Sequence, residues 1–187
     1  EIFGKQIGTY PLLAAAGFLI AGFLACICAR KQKQNEDDMI VFFLIAAVGA
    51  LIGSHMLYGI TNMKLIVNTI SDLSVIDSFK SFFQFLFTAF GGSVFYGGLL
   101  GGGFACLTYL KKKNLQRSFY WDVAAFSVPL FHTFGRIGCF LGGCCYGVEC
   151  QWGLTYTHAP VDMANDVPRF PVQLLEAGLN LLLFIVI

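Results

Sequence analysis

The feature that most constrains this chain is a series of long apolar runs. Residues 11–29 and 40–60 are each about as long as the stretch of roughly 20 apolar residues that a bilayer-crossing helix needs. Residues 94–110, 120–134 and 172–187 form three further runs, less ideal but of the same character. A chain segment in hydrocarbon has no water to satisfy its peptide groups, so a run of this kind is expected to be a helix. Pro11 stands at the start of the first run, where its missing N–H costs little. Ser54 and His55 interrupt the second run, glycines open the third, and Asp122 and Pro129 mark the fourth, the proline as an expected kink.

Composition supports this reading. Only 12% of the 187 residues are charged, about half the share of roughly 25% in an average soluble domain. Hydrophobic residues make up 57%. Phenylalanines number 20 and glycines 21, a mixture that suits helices approaching closely in lipid. The expected fold is therefore an all-α integral membrane protein, a polytopic helix bundle of about five spans forming one transmembrane domain over residues 1–187. Residues 77–90, "DSFKSFFQFLFTAF", are rich in phenylalanine but short and broken by Lys80 and Gln84, which predicts an interfacial or re-entrant segment. The first run is too long for a cleaved signal peptide, and nothing forms the basic, aromatic-studded stripe of a nucleic-acid binder. The chain starts without methionine and stops inside an apolar run, so further residues are expected beyond both ends, with C-terminal spans among them.

Orientation follows from charge. "RKQK" (30–33) follows the first run and "KKKNLQR" (111–117) the third, and alternating spans put both loops on one side. The positive-inside rule makes that side cytoplasmic. The chain before residue 11, residues 61–93 and residues 136–170 are then expected to face outward.

Chemistry concentrates in "GRIGCFLGGCCYG", residues 135–147. The cysteine spacing C-x4-C-C-x4-C, from Cys139 through Cys144 and Cys145 to Cys150, differs from paired zinc knuckles, and adjacent cysteines rarely both bind one tetrahedral ion. An outward location permits a disulfide of Cys144 or Cys145 with Cys150; close-packed filler is the other reading, and the residues leave both open. Cys26, Cys28 and Cys106 lie in spans and read as filler. Arg136 is the sharper signal, because a guanidinium at membrane depth is normally paired or bound to a polar ligand. Gly135 and Gly138 beside it leave the backbone room to approach an anion, and arginine offers a planar double donor to phosphate. The structural alternative is an arginine paired with Glu149, Glu176 or Asp122 simply to hold helices together.

Other polar groups fall at the same expected face. "GGSVFYGGLLGGG" (91–103) sets Tyr96 between glycines, where its hydroxyl has space, although such glycine clusters more often serve helix packing. His55 lies near the outer end of the second run and reads as packing residue, proton carrier or ligand contact. Gln173 and Glu176 are three apart and share one helix face, while Tyr10 opens the first run.

Taken in order, "GGSVFYGGLLGG", "GRIGCFLGGCCYG" and "FPVQLLE" resemble the prolipoprotein diacylglyceryl transferase family, over nearly the whole chain from Tyr10 onward. The resemblance implies transfer of the diacylglyceryl group of phosphatidylglycerol to the thiol of a preprolipoprotein's lipobox cysteine. The products are a thioether-linked lipid and glycerol phosphate. It implies a multi-pass protein of the bacterial plasma membrane, working at the outer leaflet with membrane lipids as surroundings and with no metal or organic cofactor. Arg136 matches the signature arginine and is implied to stabilise charge on the departing phosphate. Tyr96 stands where the family often has histidine and is implied to orient or deprotonate the substrate thiol. The implied substrate contacts are Tyr10, His55, Gly97, Gly98, Gly135, Gly138, Cys139, Gly147, Gln173 and Glu176.

Besides Tyr96, the chain departs from the family pattern at four places. Cys139 replaces a usual asparagine, Cys144 an acid, Phe170 a histidine, and His55 a frequent arginine. The cysteine-rich form resembles a branch from Gram-positive anaerobes. A second functional arginine is expected past residue 187. Two readings of another class are a small transporter using His55, Arg136 and Glu176, and a non-catalytic assembly factor. A transporter should show repeated or broken helices in matching positions, and none is evident in the sequence.

Overall fold

The computed structural model describes residues 8–64, 66–67, 85 and 89–187. Most of the segment expected to be interfacial or re-entrant, 77–90, lies outside the described residues. Helices occupy all five apolar runs: α1 (Thr9–Lys31), α2 (Glu36–Thr61), α3 (Phe95–Lys113), α4 (Arg117–Leu141) and α5 (Val172–Val186). Among the described residues α1, α2 and α4 are long and apolar enough to cross a membrane, and α5 is a shorter apolar helix. Helix α3 is diluted by glycine and closed by Lys111, Lys112 and Lys113, which complement the negative end of the helix dipole. A helical membrane protein is the result.

The chain groups into two compact units, Glu1–Glu36 with Ser118–Ile187, and Asp37–Arg117. In the first, α1 buries Gly17, Ala21, Ala25 and Ala29, one small residue every four positions. Its inward face is distinguished by size rather than polarity, while Leu19 and Phe23 on other faces are exposed. A Cβ at Gly17 would lie 2.7 Å from Phe134 Cβ of α4, so the glycine sets how closely α1 and α4 approach. Helix α4 meets α5 through Phe126 and Phe184, with ring centroids 6.2 Å apart, and through the Thr133 hydroxyl, 3.4 Å from the Ala177 carbonyl.

Between α4 and α5 the first unit adds a small antiparallel ribbon, which the expected all-helical bundle lacks. Strand β1 (Glu149–Thr155) pairs with β2 (Pro168–Arg169), with Leu154 opposite Arg169 and Thr155 opposite Pro168. A two-residue strand opening on proline has no readable period, which is why the sequence shows only a loop there.

In the second unit α2 and α3 pair through glycines. Gly49 and Gly53 on α2 face Gly97 and Gly101 on α3 so closely that a Cβ at Gly49 would stand 2.7 Å from the Gly101 carbonyl oxygen. Each helix contributes a G-x3-G pair, the spacing that lets membrane helices touch backbone to backbone. Tyr109 donates its hydroxyl to Asp38 Oδ1 at 2.7 Å, a polar tie in the same helix pair.

Candidate active site

Arg136 sits in the last two turns of α4, with His132 one turn earlier on the same face. Its Nε approaches His132 Nε2 at 3.2 Å and forms an ion pair with Glu176 Oε2 of α5. An arginine donates only, so His132 Nε2 accepts and its ring proton belongs on Nδ1. Both contacts engage the inner nitrogen of the guanidinium. Among the described residues no hydrogen bond to its terminal NH2 groups is found. The Arg136 side chain is 26% exposed and that of Glu176 36%, so the pair is neither sealed in nor fully open. Beside it, a Cβ at Gly135 would have no neighbour within 4 Å. Of the three acids available from the sequence, Glu176 is thus the one that meets Arg136.

The neighbouring glycines have different surroundings. A Cβ at Gly138 would lie 3.1 Å from Tyr10 Cα, so this glycine brings α4 against the start of α1 and sets Tyr10 beside it. Tyr10 itself is exposed and lies within electrostatic range of Cys139, Cys144, Cys145 and Arg136. A Cβ at Gly147 would collide with the Phe170 carbonyl oxygen, so Gly147 lets the strand-bearing segment close on the start of α5.

Helix α4 ends in a doubly bonded turn. The Cys144 N–H donates to the Cys139 carbonyl at 3.1 Å and the Gly143 N–H to Phe140 at 3.2 Å, with Gly143 at φ +67°. This is the Schellman arrangement, in which a left-handed residue turns the chain and satisfies the last carbonyls. Cys145 is also left-handed, at φ +54°, a conformation that costs a non-glycine residue roughly 1–2 kcal/mol. The turn brings the Sγ atoms of Cys139, Cys144 and Cys145 within 4.8 Å of one another. All seven cysteines are free thiols, and Cys144 and Cys145 turn toward Cys139 rather than joining Cys150. Burial pushes the Cys144 thiol up from its ordinary value.

Gln173, in the first turn of α5, is fully buried. Its amide nitrogen donates to the Cys144 carbonyl at 2.8 Å and to the Tyr156 hydroxyl at 3.2 Å, while its Oε1 has no hydrogen-bond partner among the described residues. Burial pushes the Tyr156 phenol up, and the hydrogen bond from Gln173 pulls it partly back. Gln173 therefore fastens the end of α4, where the sequence shows a candidate substrate contact.

Two further polar groups around these residues carry little signal in the sequence. His132 signals itself only by standing four residues before Arg136. Arg169, 8% exposed, donates from Nη1 to the Gly147 carbonyl at 3.3 Å and from Nη2 to Met163 at 2.5 Å. It lies 4.4 Å over the Tyr146 ring and 3.6 Å from Glu149, gathering the whole segment between α4 and α5. Its one visible mark is its place between two prolines, Pro168 and the Pro171 that opens α5.

The remaining candidates belong to the second unit. His55 Nδ1 lies 2.7 Å from the Phe90 carbonyl and 2.8 Å from that of Gly92. Two acceptors on one nitrogen assign the proton to Nδ1, and His55 holds the chain entering α3. Gly97 and Gly98 are buried against α2, Gly97 directly over the Gly53 carbonyl, so their faces are filled by backbone. Tyr96 is 68% exposed in the first turn of α3, its ring edge-on to Phe95 at 5.8 Å.

Comparison with known proteins bears on these features directly. The chain is 31% identical to a phosphatidylglycerol–prolipoprotein diacylglyceryl transferase of Clostridium tetani, over 98% of this chain and 69% of that protein. A second enzyme so named, from Clostridium perfringens, is 30% identical over 95% of this chain and 65% of its own length. A third, from Campylobacter hominis, is 25% identical over 96% of this chain and 62% of its own length. The chain thus spans about two thirds of these relatives. The family model for prolipoprotein diacylglyceryl transferase matches residues 1–187, the whole stretch that carries the arginine signature, the glycine-paired helices and the α5 opening. The chain is a member of the prolipoprotein diacylglyceryl transferase family.

Proposed function

We propose that this protein transfers the diacylglyceryl group of phosphatidylglycerol to the lipobox cysteine thiol of a preprolipoprotein, at the outer leaflet of the plasma membrane. The thiol sulfur attacks the glycerol carbon that bears the phosphate ester. A carbon–sulfur bond forms, the carbon–oxygen bond breaks, and the electron pair leaves with glycerol phosphate. The thiol gives up its proton to a base. Charge therefore develops on a phosphate oxygen, and a fixed cation there lowers the barrier.

The observation that carries this reading is the manner in which Arg136 is held. Glu176 and His132 engage its inner nitrogen, which leaves the terminal edge to a phosphate, and Gly135, the preceding residue, faces open space. An arginine fixed on one edge presents two parallel donors without spending entropy at the moment of reaction. Glu176 and His132 are positioning residues in this account, and Tyr10, across Gly138, is a headgroup or peptide contact. Tyr96 offers an exposed hydroxyl suited to orienting a thiol, although a phenol titrating near ~10 is a poor base at neutral pH. The basic loops at 30–33 and 111–117 support the outward orientation.

The test is lipid transfer to a lipobox peptide in phosphatidylglycerol vesicles by the full-length protein. The wild type is expected to form the thioether adduct, and Arg136→Ala to lose at least about a hundredfold in rate, the usual loss for one transition-state donor. Equal rates for the two would remove Arg136 from the reaction.

A further inference from the structure

The cysteines of the signature stand apart from the transfer reaction just described, and their arrangement has its own chemical meaning. A Schellman turn brings the side chains of its C3 and C″ residues into contact, usually as an apolar pair. Here those two positions are Cys139 and Cys144, and the left-handed backbone of Cys145 swings a third thiol back toward them. The spacing C-x4-C-C is therefore unsuited to a zinc knuckle but well matched to a helix terminus. We propose that Cys139, Cys144 and Cys145 form a binding site for one soft divalent cation of the zinc class.

Three thiolates are the donor set such ions prefer, since sulfur ligands select zinc and its softer neighbours over magnesium or calcium. With metal–sulfur bonds of about 2.3 Å, tetrahedral ligands stand about 3.8 Å apart. The three Sγ atoms already lie within 4.8 Å, so a shift of about 1 Å closes the set. Cys139 is buried, Cys144 half-buried and Cys145 exposed, which gives the ion an inner anchor and an entry path. The backbone supporting the ligands is held mainly through the turn's own peptide hydrogen bonds and through Gln173 on the Cys144 carbonyl, to which the Cys144 thiol adds a long contact, 3.7 Å, to the Cys139 carbonyl. Binding exchanges three thiol protons for one cation and leaves a fourth coordination position for water or another soft ligand. The site stands or falls separately from the assignment of Arg136.

The experiment uses full-length protein purified in detergent under reducing conditions, with cobalt(II) as an optical stand-in for zinc. One equivalent of cobalt is expected to produce thiolate-to-metal charge-transfer absorption that zinc then abolishes. Cys139→Ser, Cys144→Ser and Cys145→Ser should each weaken binding at least tenfold, while Cys150→Ser and Cys106→Ser keep it. The metal content of the wild type, measured by mass spectrometry after zinc loading and desalting, reads the site without relying on any variant's folding. Less than a tenth of an equivalent of retained zinc in reduced, helical wild-type protein would overturn the proposal. So would charge-transfer absorption that survives the triple serine variant.

Discussion

The side-chain amide of Gln173 donates to the backbone carbonyl of Cys144 at 2.8 Å, tying the first turn of α5 to the turn that ends α4. Gln173 is fully buried, where a replacement hydrogen bond to water is hard to obtain. Gln173→Ala is expected to lower stability by about 1–3 kcal/mol, the cost of a buried polar group left without its partner. Gln173→Glu places an acceptor against that carbonyl and should cost more. Thermal unfolding in detergent, followed by circular dichroism, checks the order.

Arg136 and Glu176 call for a graded series under the transferase reading. Arg136→Lys keeps the charge but loses the planar double donor, so its rate should fall nearly as far as that of Arg136→Ala, by about 10²–10³. Glu176→Gln leaves Arg136 in place but unanchored, with a loss of about tenfold, equivalent to one charged hydrogen bond. Rates on lipobox peptide at saturating phosphatidylglycerol separate the two effects. A Glu176→Gln enzyme as inactive as Arg136→Ala would mean that the glutamate itself takes part in the chemistry.

The glycine contact between α2 and α3 predicts a sharp contrast within one helix. A side chain at Gly101 would press on Gly49 and Gly53, so Gly101→Val should cost at least about 1–3 kcal/mol through overpacking. At Gly103 an added Cβ has nothing within 4 Å, and Gly103→Ala should raise stability by about 0.5–1 kcal/mol through helix preference. Paired melting curves of the two variants read this directly.

Arg169→Met removes the donors to Gly147 and Met163 and the charge facing Glu149. The segment between α4 and α5 should then open to protease at least tenfold faster, with the helices themselves still protected. Limited proteolysis with mass readout of fragments around residues 145–170 distinguishes this from global unfolding.

Tyr156 gives a pH dependence of defined sign. Its phenol is raised by burial in the folded protein, so the unfolded chain ionises first, near a pH of about 10. The unfolded state then binds fewer protons, and stability should fall as pH climbs past that point. Tyr156→Phe should flatten the fall in melting temperature between about pH 9.5 and 11, an interval centred just above the ordinary tyrosine value.

Hydropathy was enough to read α1 and α2, because lipid selects for uninterrupted apolar length. Helix α3 was legible as a helix, but the pairing of Gly97 and Gly101 with Gly49 and Gly53 was not. Glycine carries little hydropathy signal, and its partners lie on another element. The same limit applies to Arg136: Glu149, Glu176 and Asp122 were equally available along the chain, and only the fold gives it Glu176 while Glu149 goes to Arg169. The cysteines were judged by the spacing rules of metal knuckles, which assume a loop. At a helix terminus the turn geometry, not the count of intervening residues, decides which thiols meet.

The turn at 139–145 is fastened almost wholly through peptide groups, by the N–H of Cys144 on one side and its carbonyl on the other. Fold and reactivity are therefore written in separate alphabets at this corner. The side chains at 139 and 144 can be exchanged, asparagine and acid for two thiols, without rewriting the path of the chain. A lineage could thus change what this corner of the membrane enzyme binds while inheriting its architecture intact.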